Sequence, residues 1–103
     1  MHQFDVYPNP NPDSCERLPY LVVLQSDLLE RLDKVVVAPL RSHREGKPIL
    51  RLNPLVQVAG DNYFVRVQDL AAMPVQSLHQ PICNLSAERE ALLAALSLLF
   101  TGL

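Results

Sequence analysis

The sequence predicts a mainly β domain, a small antiparallel barrel or rolled sheet with one helix packed against it. Three observations carry this. Five or six short apolar or alternating segments run from Phe4 to Leu78, bounded by Pro, Gly, Asn and Asp. A hairpin signal, Ala59-Gly60-Asp61-Asn62, joins two alternating runs. Beyond Asn84 the chain turns to Ala and Leu, the best apolar helix formers. Strands followed by a single helix fold into this class.

Taken in order, Phe4 and Val6 alternate with Gln3, Asp5 and Tyr7, which predicts a strand with one buried face. Prolines 8, 10 and 12 remove amide donors and fix φ, so residues 8–14 form a loop. The run from Tyr20 to Leu24 is continuously apolar and predicts a central strand buried on both faces. Gln25-Ser26-Asp27 breaks it. Leu28 and Leu29 then either plug the core or stand exposed as a contact pair. Val35 to Ala38 is a third strand, ended by Pro39. Residues 41–48 are polar and charged and read as a long loop or a small hairpin. Residues 54–58 and 63–67 are the predicted hairpin arms. Gln68 to Met73 predicts one helical turn, and Val75 to Leu78 a last short strand.

The terminal helix begins near Ser86, a good N-cap, with Glu88 and Glu90 at its positive end. Leu92, Leu96 and Leu99 share one face, and Leu93, Ser97 and Phe100 a second. A helix apolar on several sides needs more than one cover. One side is expected to pack on the domain and another to meet a second copy or a partner. The apolar run is shorter than the ~20 residues a bilayer requires. The chain stops three residues after Phe100, so no later segment is expected to cover that end.

At 103 residues the chain fits one domain, spanning 1–103. Apolar residues make up 49% and charged residues 19%, the balance of a folded rather than a disordered chain. The formal net charge is -2 without a Lys/Arg block, which disfavours direct nucleic-acid binding. Cys15 and Cys83 are far apart and form no CxxC pair, so reduced thiols in a cytoplasmic protein are expected. The N-terminus shows no export pattern.

The search for chemistry yields little. His2, His43 and His79 lack metal-ligand spacing, and no P-loop or GxGxxG is present. No catalytic residue, cofactor or metal is assigned. Arg41, His43, Arg44 and Glu45 offer an acid–base cluster for RNA cleavage, but a charged loop is more often simply solvated.

The segments Gln3-Phe4-Asp5-Val6-Tyr7, Val23-Leu24-Gln25-Ser26-Asp27-Leu28-Leu29, Val36-Val37-Ala38-Pro39-Leu40, Met73-Pro74-Val75 and Phe100-Thr101-Gly102-Leu103 together resemble the CcdB toxins of toxin–antitoxin modules. The resemblance runs the whole length in the same order. It implies an SH3-like barrel with a C-terminal helix, a homodimer and no enzymatic activity. It also implies binding to the A subunit of DNA gyrase, trapping of the cleaved complex, and neutralisation by a CcdA-like antitoxin. Carried over residue by residue, the gyrase-contacting positions are Leu28, Leu29, Ser97, Phe100, Thr101, Gly102 and Leu103. This chain has Thr101 where the best-known members carry Trp, and Ser97 where Asn is familiar. Two alternatives stand beside this reading. One is a MazF/Kid-like endoribonuclease resting on Asp27, Arg41, His43 and Arg44. The other is a degenerate homologue that binds antitoxin without poisoning gyrase.

Overall fold

A computed structural model describes residues 1–29 and 31–103. Among the described residues seven strands form one antiparallel sheet: β1 Asp5–Pro8, β2 Tyr20–Val23, β3 Lys34–Ser42, β4 Leu55–Val58, β5 Asp61–Val65, β6 Ala71–Pro74 and β7 Cys83–Asn84. An α-helix, α1, follows at Arg89–Thr101. The path β4-β5-β3-β2-β1-β7 curls into a nearly closed barrel, and β6 branches off β3. The architecture is the SH3-like barrel with a C-terminal helix.

Alternation along β2 and β3 sorts side chains between two cores. Val22, Leu24, Ala38 and Leu40 point into the barrel, where they meet Phe4, Val6, Phe64's neighbours Tyr63 and Val65, and the helix residues Leu92 and Ala95. Leu21, Val23, Val35 and Val37 point to the other face and pack with Tyr7 and Leu78. This is the two-sided burial expected of the run from Tyr20 to Leu24. Phe4 donates its N–H to the Val23 carbonyl at 2.7 Å, and Arg89 lies 5.8 Å from the centre of its ring.

The β4–β5 hairpin forms as expected. Ala59 and Gly60 both have positive φ, 53° and 83°, which suits a two-residue turn matched to strand twist. The proline-rich loop covers residues 9–19 rather than 8–14, and Pro8 instead closes β1, where it stands opposite Tyr20.

Five other expectations need correction. Pro39 does not end the third strand. β3 runs to Ser42, pairing with β6 over Lys34–Val37 and with β5 over Leu40–Ser42 on the same edge. Pro39 sits where one partner hands over to the other, so no ladder donor is required there, and its carbonyl accepts from Arg66 N–H at 2.8 Å. The short strand is Ala71–Pro74, and Val75–Ser77 is a 3-10 turn instead. The helical turn is likewise earlier, at Val67–Asp69. The first strand is buried on both faces, because the second core covers Tyr7 while Asn84 Nδ2 donates to Asp5 Oδ1 at 2.9 Å. Ser86 does not cap α1. It opens the 3-10 turn Ser86–Glu88, and its N–H donates to Asn84 Oδ1 at 2.8 Å.

Candidate functional site: the exposed end of the terminal helix

Helix α1 is buried along one stripe. Leu92 and Ala95 are fully enclosed, and Leu96 and Leu99 pack on the barrel core beside them. Leu93, Ser97 and Phe100, the second face of the sequence reading, are exposed. The chain's own core therefore uses about half of an apolar helix.

Exposure is greatest at the last turn. Phe100 is 69% and Leu103 83% solvent-accessible. At these values the burial of a Phe or Leu side chain, about 1.5–3 kcal/mol each, is not used by the monomer. The turn is held by its own polar groups. Thr101 Oγ1 donates to the Ser97 carbonyl at 2.7 Å and accepts from Leu103 N–H at 3.2 Å. Gly102, with φ 77°, takes the left-handed conformation that closes a helix, and its N–H donates to the Leu98 carbonyl at 3.0 Å. Apart from Gly102 itself and its chain neighbours, no atom lies within 4 Å of where a Cβ on it would stand, so its backbone is open to close approach.

Leu28 and Leu29 lie on the 3-10 turn Asp27–Leu29. Ser26 organises this turn: its carbonyl accepts from Leu29 N–H at 3.0 Å and its Oγ from Leu28 N–H at 3.2 Å. Leu28 is thereby held out at 93% exposure and Leu29 at 50%. Of the two readings of this pair, the core plug fails for Leu28. Leu29 is shared, since it also borders a small recess with Met1 and Val75. Ser97, Thr101 and Leu103 are joined to one another by hydrogen bonds. Among the described residues no hydrogen bond or ion pair joins Leu28 and Leu29 to them.

Residues 49–52, which carry no strand or helix pattern, also border this end. Arg51 donates to the Leu103 carbonyl at 3.4 Å, which brings this loop beside the last turn, and the preceding Ile49 and Leu50 are exposed, Leu50 at 88%. The signal was an apolar pair between Pro48 and Arg51 that fits neither strand nor helix periodicity.

The residues considered for RNA cleavage do not converge. His43 and Arg44 border a recess with Asp61 and Tyr63. Asp27 borders another, with its carboxylate 3.6 Å from His2 Nδ1 and accepting from Gln3 N–H at 2.6 Å. The Arg41 guanidinium donates to the Glu45 carbonyl at 2.9 Å.

Among the described residues no helix is long and apolar enough to cross a membrane. The family model described as CcdB protein matches residues 3–102, nearly the whole chain. With the barrel, the single terminal helix and that match together, the chain belongs to the CcdB family, a family of toxins from toxin–antitoxin modules.

Proposed function

We propose that this protein is a toxin that acts from the cytoplasm, as a homodimer, by binding the A subunit of DNA gyrase and trapping the enzyme on cut DNA. A CcdA-like antitoxin neutralises it. The contact surface comprises Leu28, Leu29, Ser97, Phe100, Thr101, Gly102 and Leu103. One observation carries the reading: Phe100 and Leu103 stand in solvent at the end of a helix whose other face is sunk in the barrel. Large apolar groups on a rigid support, with a glycine between them, suit a groove on a second macromolecule.

The mechanism asks for no chemistry from this chain. Gyrase itself cuts the DNA. The toxin's part is to hold one conformation of gyrase more tightly than the others, which shifts the enzyme's population toward the cleaved state. Phe100 and Leu103 supply the apolar area, and Leu28 and Leu29 a second contact.

Expression of the protein lacking residues 101–103 tests this. The truncated chain should remain folded and dimeric and no longer arrest growth. Arrest at the full-length level would overturn the assignment of the tail. Cleavage of RNA by the pure protein, lost in His43→Ala, would favour the endoribonuclease instead.

A further inference from the structure

The barrel is nearly closed, and the place where it fails to close is a groove. β4 and β7 are the two ends of the strand path. Between them lies a cavity of about 410 Å³ bordered by Leu55, Val56 and Gln57 on one side and Asn84, Leu85 and Glu88 on the other. Its floor is apolar, since Val56 and Leu85 belong to the barrel core.

Among the described residues the β4 edge is unpaired, and it is correctly oriented to accept another strand. Val65 N–H donates to the Pro54 carbonyl at 3.0 Å, and Val56 stands opposite Tyr63 and Val58 opposite Asp61. In an antiparallel ladder alternate residues direct both main-chain groups to one neighbour. Val56 and Val58 therefore bond to β5, and the N–H and C=O of Leu55 and Gln57 face the groove. The Gln57 side chain does not cover them, because its Nε2 donates to Asn62 Oδ1 at 3.1 Å. Exposed edges of this kind are usually shielded by charge, proline or a covering segment. Here Leu55 is 58% exposed instead.

The charge of the groove selects its occupant. Glu88 borders it, and Glu90 borders the adjoining recess. Arg89 between them is committed elsewhere, with its guanidinium near the Phe4 ring and donating to Gln3 Oε1 at 3.1 Å. Among the described residues neither glutamate is in an ion pair.

We propose that this seam binds an extended, basic segment of a partner polypeptide, which enters as an added strand on β4 with a Lys or Arg beside Glu88. The four residues of β4 set the contact at ~14 Å of strand. The site stands apart from the proposed gyrase surface, since Glu88 and Thr101 lie at opposite ends of α1.

The probe is an acetylated hexapeptide alternating Thr and Val and ending in Lys, titrated into the labelled full-length protein to about 5 mM, enough to reveal a millimolar Kd. Amide hydrogen exchange is read residue by residue. Slowing of exchange at Leu55 and Gln57, with resonance shifts confined to β4, β7 and the Glu88 turn, is expected. Proline at the two pairing positions should abolish it, and Glu for the terminal Lys, or Glu88→Gln in the protein, should weaken it about threefold or more. No protection at the highest concentration would overturn the proposal. So would protection that grows with protein concentration alone, which would mean that a second copy occupies the seam.

Discussion

The hydroxyl of Thr101 is turned back onto its own helix, where it donates to the Ser97 carbonyl at 2.7 Å. The side chain that ends α1 thus satisfies a helix carbonyl and offers a partner only its methyl group. The neighbours that reach outward are Phe100 and Leu103. In this account the apolar grip of the tail comes from those two, and the residue between them sets its strength. Thr101→Trp should raise affinity for the gyrase A subunit about tenfold or more, since a large aromatic adds buried area at a site already exposed. Calorimetric titration checks it. The melting temperature should change little, because the threonine hydrogen bond is exposed and contributes about 1 kcal/mol or less.

The two faces of α1 should separate stability from function. Leu92→Ala removes a fully buried side chain and should cost about 2–5 kcal/mol. Phe100→Ala should cost almost nothing in stability and weaken gyrase binding about thirtyfold or more, the range of a hot-spot residue. Urea denaturation of both variants, beside a binding titration of the second, makes the comparison.

Asn53 ties the loop beside the tail to the barrel. It is 4% exposed, donates from Nδ2 to the Val65 carbonyl at 3.1 Å and to Gln68 Oε1 at 2.7 Å, and accepts from Ile49 N–H at 2.9 Å. Asn53→Ala leaves those groups without partners and should cost about 1–3 kcal/mol. Faster amide exchange at Ile49 should accompany the loss.

Three acids, the buried Tyr7 and Tyr63 and the partly buried Cys83, predict a falling stability in alkali. Burial first, then Asp5, raises the pKa of Tyr7 and of Cys83; burial first, then Tyr20, raises that of Tyr63. Each group holds its proton more firmly folded than unfolded. Its contribution is complete below the unfolded value, about 8.5 for the thiol and about 10 for the phenols, and is lost as pH rises through the folded value. The urea midpoint should therefore be flat near neutrality and decline above about pH 9. Tyr7→Phe and Cys83→Ala should each flatten the decline.

The parts of this fold that were legible in the sequence are those decided locally. The hairpin at Ala59-Gly60, the loop of alternate prolines and the left-handed Gly102 each follow from the conformational limits of a few residues. So do the two apolar faces of α1, since Leu92, Leu96 and Leu99 and then Leu93, Ser97 and Phe100 follow from helical spacing, whereas which face the barrel covers does not. What was hidden depends on partners distant in sequence. Pro39 fits inside β3 only because β6 and β5 meet there. Asp5 is buried because β7 brings Asn84 to it. Ser86 fails as a cap because a 3-10 turn, Ser86–Glu88, comes first and moves the start of α1 to Arg89. Ile49 and Leu50 join the candidate surface only through the contact of Arg51 with Leu103.

The central claim is that the last turn of α1 grips gyrase. Its most direct measurement is a cleavage reaction with purified gyrase, supercoiled plasmid and ATP, quenched with detergent and protease and scored for linear DNA. The full-length protein should convert plasmid to the linear form in proportion to its concentration. The chain without residues 101–103, and Phe100→Ala, should leave it supercoiled while retaining the parent melting temperature. Equal yields of linear DNA from all three proteins would contradict the account.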